Sequence, residues 1–375
     1  MSPAGDSRGY ESKKSSMASV QVSGTDKARD LKFLKKLEKY RTRSRGSSRA
    51  NAGFGSAKKL RGAAKGVHVE LLRLNPSGKQ LCSDNLIEKA KAQGLRFEHL
   101  GVTIGTVIHN VDLRKKLSPT LVQTIKQTLN ERKVIFFRNQ DLTREEHLEF
   151  GRNFGELEIH PFGKSVDGYP EILPIYNDAR FPGAINNWHS DVTWRTEPSL
   201  GSILYMRECP DFGGDTLFSD SHAAFEGLPD HVKKMSMGKS AIHDFENFRR
   251  SQLAQGVPKK VVDEMKEHFP LASHPVIRTH PETGKNGIYI NIAFTKYIEG
   301  LPIQASQNLF RTLIEAHKSP EYQCRFIWEK GSIAFWDNRA VQHYASSDYF
   351  PSTRSLDRVT ICGDRPFFIA NHGKL

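Results

Sequence analysis

The segment Asn187-Trp188-His189-Ser190-Asp191-Val192-Thr193-Trp194 constrains this chain more than any other stretch. Its aromatic and β-branched content, with Gly183 upstream and Pro198 downstream, predicts a strand. Side chains two apart in a strand share a face, so His189 and Asp191 would present an imidazole and a carboxylate side by side. Those are two of the three donors in the 2-His-1-carboxylate set that grips one face of a divalent iron and leaves the opposite positions open. Alone, the pair is weak evidence. A chain with 15 histidines contains roughly one His-x-Asp by chance, and such a pair is more often an ion-paired surface couple.

The rest of the chain limits what can surround that pair. Its 375 residues, 37% of them hydrophobic, can fill one large domain or two ordinary ones. No run approaches the about 18 apolar residues of a bilayer span, and the N-terminus lacks the apolar stretch of a secretory signal. Cys82, Cys209, Cys324 and Cys362 are scattered without a C-x-x-C pair, which argues against a disulfide framework or zinc knuckle and predicts a reducing, cytoplasmic setting. The net charge of +13 sits almost wholly at one end. Residues 1–66 carry 17 basic and 5 acidic side chains, a net of +12, while the remaining 38 basic and 37 acidic residues leave the body at +1.

Residues 1–66 are rich in Ser, Gly, Ala and basic side chains, the composition of a disordered, solvated tail. Thr25 is placed to cap a short helix over 26–40, where Leu31, Phe33, Leu34 and Leu37 form a partial apolar face. A weak nucleic-acid or membrane-surface contact, or organelle targeting, stays open for this tail. Asp6 and Glu11 count against targeting, because transit peptides avoid acids. From residue 67 the texture changes. Val134-Ile135-Phe136-Phe137 predicts a buried strand after a helix near 118–131, and Leu142-Thr143-Arg144-Glu145-Glu146 predicts a capped helix start. Beyond residue 185, short strands alternate with loops, with helices near 222–237, 258–268 and 304–317. This pattern predicts an α+β domain over 67–375 whose core is a sheet sandwich or barrel.

Several motifs then fall in a telling order: Trp188-His189-Ser190-Asp191-Val192-Thr193, Gly213-Gly214-Asp215-Thr216, Trp336-Asp337-Asn338-Arg339-Ala340-Val341-Gln342-His343, and the arginines Arg354 and Arg358. Together with Phe154-Gly155-Glu156-Leu157 and the stretch from Ser273 to Pro281, they resemble the taurine dioxygenase (TauD/TfdA) family over residues 95–370. The resemblance implies a double-stranded β-helix (jelly-roll) core with flanking helices. It implies an Fe(II)- and 2-oxoglutarate-dependent dioxygenase that consumes O2 and releases succinate and CO2. His189, Asp191 and His343 would hold the metal, and Thr216 and Arg354 would bind the far carboxylate of 2-oxoglutarate. Arg suits that task because its planar fork pairs bidentately with a carboxylate. Arg358 and His160 would bind the anionic head of a small organic substrate, with Phe294 as an aromatic wall. Related iron halogenases replace the metal-binding carboxylate by a small residue; Asp191 is retained, which implies hydroxylation.

Three positions depart from the taurine-specific pattern. Where the archetype has a tyrosine, an asparagine and a serine near the substrate, ungapped counting gives Gly163, Ile185 and Phe248. A more apolar pocket favours a larger or more hydrophobic sulfonate, sulfate ester or carboxylate over taurine. His243, His274 and His280 lie beside motifs but are expected to be structural. No phosphate-loop or nucleophile-elbow motif is present. A second class of reading stays open: a non-catalytic or macromolecule-directed protein on the same scaffold, recruited by its basic tail. Assembly into a homo-oligomer is also open.

Overall fold

A computed structural model describes residues 81–183 and 186–370. The expected tail over 1–66, its helix over 26–40, and Ile185 lie outside the described residues. The order of elements is α1 (Asp84–Ala92), β1 (Arg96–His99), β2 (Thr106–His109), α2 (Pro119–Arg132), β3 (Val134–Phe137), α3 (Arg144–Arg152), β4 (Ile172–Asn177), β5 (Gly201–Glu208) and β6 (Thr216–Asp220). There follow α4 (Ser221–Glu226), α5 (Asp230–Ser236), β7 (Ser240–His243), α6 (Glu246–Ala254), α7 (Lys259–His268), β8 (Ala272–Pro275), β9 (Ile277–Thr279), β10 (Asn286–Ile288) and β11 (Thr295–Ile298). The chain closes with α8 (Ile303–Ala316), β12 (Gln323–Phe326), β13 (Ile333–Asp337), β14 (Val341–Ala345) and β15 (Arg354–Ile361).

Local chemistry accounts for the first half. Ser118 caps α2, Pro119 occupies its first turn, and Lys133 ends it in the left-handed conformation. β3 follows at once with all four residues buried. Thr143 opens α3 with a full capping box: its hydroxyl accepts from Glu146 N while the Glu146 carboxylate accepts from Thr143 N. Thr143→Ala is expected to cost about 1 kcal/mol of unfolding free energy, measured by urea denaturation; an unchanged midpoint would show that the box contributes nothing.

The sheet order β1-β2-β3-β13-β5-β15-β4 makes one seven-stranded sheet, and β12-β6-β14 makes a three-stranded one. Alternation along the large sheet sorts its side chains. Ile135, Phe137, Ile203, Tyr205, Ile333, Phe335, Val359 and Ile361 join one core with Ile125, Leu129, Leu148 and Phe150 of α2 and α3. The intervening Val134, Phe136, Leu204, Met206, Ala334, Trp336 and Leu356 pack instead against Phe218, Phe326 and Val341 of the small sheet. The result is a two-sheet sandwich with helices on the outer face of the large sheet. The same parity places Ser202, Arg354 and Arg358 on the inner face, where they meet Asp191 and Thr216.

Two expectations are corrected. Residues 187–194 do not form a strand: His189 makes a single bridge to His343, after which the chain turns. The helix expected over 222–237 is two helices, broken between Glu226 and Asp230, where a side chain on Gly227 would run into the Tyr322 hydroxyl. Two short helices, α1 and α6, have no counterpart in the sequence reading.

Candidate metal and anion site

The site begins at that bridge. His189 N donates to His343 O at 3.1 Å and His343 N to His189 O at 2.8 Å, which sets the two imidazoles side by side, tilted by 47° with centroids 4.2 Å apart. Ser190 Oγ ties the same segment to Val341 O at 2.7 Å. The turn after Ser190 then folds Asp191 back toward both rings. His189 Nε2 lies 3.6 Å and His343 Nε2 3.8 Å from Asp191 Oδ1, and donor atoms of all three lie within 4.8 Å of one another. The sequence reading thus reached this grouping through the wrong local geometry: a turn, not a pleat, brings His189 and Asp191 together.

The protonation states fit a divalent cation. His189 Nδ1 is 2.9 Å from Asn187 O, which fixes the proton there and leaves Nε2 as a lone pair. Burial, reinforced by His189, pushes His343 down to about 3, so its ring is neutral near pH 7. Burial alone would raise Asp191, but Arg358, His343 and His189 together hold it well below the usual carboxylate range. Ser202 Oγ donates to Asp191 Oδ2 at 3.2 Å and Arg358 Nη1 lies 3.4 Å from the same oxygen. Two neutral imidazoles and one carboxylate, all buried, are hard-to-borderline donors of the kind Fe(II) takes.

A second cluster lies along the same strands. Thr216 is paired with Ala345, two residues beyond His343, across the β6–β14 ladder. Arg354 Nε donates to Gly214 O at 3.0 Å and its Nη2 lies 3.5 Å from Thr216 Oγ1, which also accepts from Trp328 Nε1 at 2.9 Å. Trp328 and Tyr349 flank the guanidinium at 5.9 and 5.8 Å. Gly214 has φ +69, and a Cβ there would stand 3.1 Å from Arg354 Cδ; glycine both makes the turn and lets the arginine approach. Arg354 is 4% exposed, and no described carboxylate pairs with it. Arg358 differs in that its Nη1 faces Asp191, but its Nε is buried with no protein acceptor.

His160 and Phe294 stand further out. His160 Nδ1 accepts from Phe162 N at 3.2 Å and Gly163 N at 2.8 Å. Phe294 packs on an aromatic cluster that contains Phe162, Trp194, Phe245 and Val192. Both residues therefore border the cluster into which the turn after Asp191 inserts its side chains. Phe248 stacks on Phe162 at 4.7 Å. The Leu173 side chain occupies the space that a side chain on Gly163 would take. His243, His274 and His280 are buried and bonded to Thr193 Oγ1, to the carbonyls of Thr193 and Arg195, and to Asp337, respectively. Among the described residues they do not join the metal-binding group.

Sequence reasoning missed Ser202, Trp328, Tyr349 and the side-chain amide of Asn338, which bonds to the Asp191 backbone. Only Asn338 carried any signal, by lying inside a quoted motif.

Comparison with known proteins gives a concordant picture. Residues 96–360 match the model of the taurine catabolism dioxygenase TauD, TfdA family. An alkylsulfatase of Acinetobacter baylyi is 34% identical over 277 residues, 72% of this chain and 86% of that protein. An alpha-ketoglutarate-dependent sulfate ester dioxygenase of Pseudomonas putida is 33% identical over 268 residues, 70% and 88% of the two chains. The crystal structure of a taurine dioxygenase from Burkholderia xenovorans superposes with a TM-score of 0.63 at 36% identity, covering 72% of this chain and 90% of that one.

Proposed function

This chain belongs to the taurine catabolism dioxygenase (TauD/TfdA) family, and on that premise we propose that it hydroxylates a small, largely apolar organic anion: a sulfonate, sulfate ester or carboxylate. It is an Fe(II)- and 2-oxoglutarate-dependent dioxygenase. We assign the metal to His189, Asp191 and His343, the cosubstrate to Thr216 and Arg354, and the substrate anion to Arg358 with His160 and Phe294. The two-sheet sandwich supports a double-stranded β-helix as its core. The alternative of a non-catalytic or macromolecule-directed scaffold finds no support in these relatives.

When bound, Fe(II) with 2-oxoglutarate and O2 supplies the oxidising power, yielding succinate, CO2 and a hydroxylated substrate carbon. The protein's part is binding and orientation. Arg354 offers its fork to the far carboxylate of 2-oxoglutarate. Thr216 Oγ1 accepts from Trp328 and faces Arg354, so its own hydroxyl proton stays free to serve as a further donor to the cosubstrate. Asp191, kept ionised, would give the cation its one negatively charged protein donor, beside the imidazoles of His189 and His343. The single observation that carries the anionic substrate is Arg358: a part-buried guanidinium beside the proposed metal-binding carboxylate with an uncommitted Nε. Phe294 borders an apolar cluster of Phe162, Phe245 and Phe248, and a substrate held against that side would be favoured by an alkyl or aryl body over an ammonium group.

We further propose that residues 1–66 stand apart from the catalytic unit, since the family match spans 96–360 and the charge excess is confined to the tail. Four free cysteines support a reducing, cytoplasmic setting, and no described helix is long and apolar enough to cross a membrane. Iron-loaded protein lacking 1–66 is expected to form succinate in a substrate-dependent way at close to the full-length rate when offered alkyl sulfates, sulfonates and aryloxy carboxylates, with taurine among the poorest substrates. Preference for taurine, or no coupling with any anion, would refute the substrate assignment. Loss of activity only in the truncated protein would move the domain boundary.

A further inference from the structure

We infer that Asn338 is a positioning residue for the metal site: its side-chain amide clamps the backbone of Asp191 and holds the carboxylate in place against the strain of the turn that carries it. The inference rests on the assignment of Asp191 as a metal ligand.

Asn338 is fully buried in the turn between β13 and β14. Its Oδ1 accepts from Asp191 N at 2.7 Å and its Nδ2 donates to Asp191 O at 2.9 Å. One side-chain amide thus satisfies both backbone polar groups of the proposed ligand, as a neighbouring strand would have done had residues 187–194 been a strand. The Nδ2 also contacts Ser199 O at 3.3 Å and Ser199 Oγ at 3.2 Å, which fixes the amide's orientation. The need for a clamp comes from the next residue. Val192 has φ +48, a region that a β-branched side chain enters only under strain. Its side chain is buried in the aromatic cluster, so the turn cannot relax by swinging it into solvent.

The clamp is itself anchored. Asp337 O accepts from Ala340 N at 3.0 Å, and Asn338 N donates to Leu200 O at 2.8 Å. The buried Asp337 carboxylate binds Arg339 Nε at 2.8 Å, Arg339 Nη2 at 2.7 Å and His280 Nε2 at 2.9 Å. The connection that carries the chain from β13 of the large sheet to β14 of the small one therefore supplies a proposed ligand, His343, from its second strand and fixes the aim of another, Asp191, from its turn. Partners that orient a ligand without touching the metal commonly control affinity.

The test is anaerobic Fe(II) titration by calorimetry on the full-length chain, with circular dichroism of the metal-free proteins to show that each is folded at the titration temperature. Asn338→Ala is expected to weaken Fe(II) binding by about 10- to 100-fold. Asn338→Asp, which keeps the shape and the acceptor but not the donor, should fall between it and the parent, and it carries the comparison should the alanine variant not fold. Adding Val192→Gly to Asn338→Ala should recover part of the loss, because glycine takes φ +48 without strain; a change that merely loosened the core would not be rescued by removing a further buried side chain. Parental affinity in both Asn338 variants, beside loss in Asp191→Ala, overturns the clamp and leaves the ligand assignment standing. Parental affinity in Asp191→Ala overturns the ligand assignment and the clamp with it. A loss in Asn338→Ala that Val192→Gly fails to lessen also overturns the clamp.

Discussion

Alanine at His189, Asp191 or His343 is expected to reduce Fe(II) binding below detection at concentrations that saturate the parent protein, and substrate-coupled succinate formation should vanish with it. Each residue is assigned as one of the three donors grouped together among the described residues, so none of them has a fourth to back it up there. The three changes should nevertheless differ in what they do to the metal-free fold. Asp191→Ala removes the acceptor for Ser202 Oγ and the counter-charge 3.4 Å from Arg358 Nη1, leaving a buried guanidinium uncompensated. An unpaired buried charge costs roughly 3–5 kcal/mol; Arg358 is 13% exposed at its side chain, so the lower end applies. His343→Ala removes a buried, neutral ring, so its cost is lost packing against Trp336 and Phe218 rather than stranded charge. His189→Ala leaves the backbone bridge to His343 intact, because both of its hydrogen bonds are main-chain. Urea denaturation without metal should therefore show Asp191→Ala less stable than Asp191→Ala combined with Arg358→Met, where the stranded charge is gone. Full iron-dependent activity in any single variant would remove that residue from the metal site.

How much of this was legible depended on whether the signal was local. α2, β3 and the start of α3 could be read directly, since Ser118, Pro119 and the Thr143 capping box act within a few residues. The ligand set could be read because the three residues sit in distinctive strings. The strand expected over 187–194 failed for a physical reason. Aromatic and β-branched residues mark a half-buried surface rather than a backbone conformation, and here Val192 and Trp194 are buried by turning into an aromatic cluster. The break between α4 and α5 falls at Gly227-Leu228-Pro229, where Gly227 ends one helix and Pro229 opens the next, a local signal that the sequence reading passed over. α6 was invisible because none of its residues is fully buried; Phe248 packs on the aromatic cluster, too little for periodicity to report. Gly163 looked like a lost tyrosine by motif counting. The structure gives another cause, the close approach of Leu173.

Arg354 and Arg358 are the residues that a purely electrostatic reading would treat as equivalent, and the structure separates them. They lie on one face of β15, four residues apart, yet Arg354 meets Gly214, Thr216 and Trp328 while Arg358 meets Asp191. Arg354→Ala should weaken 2-oxoglutarate binding by roughly 2–5 kcal/mol, about 30- to several-thousand-fold, whatever the substrate, as expected for loss of a desolvated charge pair. Arg354→Lys should recover only part of this, because it keeps the charge but not the fork. Arg358→Ala should leave 2-oxoglutarate binding nearly unchanged and raise the KM for the anionic substrate. The readout for the cosubstrate is the visible charge-transfer absorption of the anaerobic Fe(II)–2-oxoglutarate complex, titrated with 2-oxoglutarate. Because Arg358 also neighbours Asp191, the titration should be run at saturating Fe(II), so that any change in metal affinity does not enter. Loss of the absorption in Arg358→Ala with its survival in Arg354→Ala would exchange the two assignments. If both variants bind cosubstrate and substrate as the parent does, neither arginine holds an anion, and the pocket must be sought elsewhere on the inner face of the large sheet.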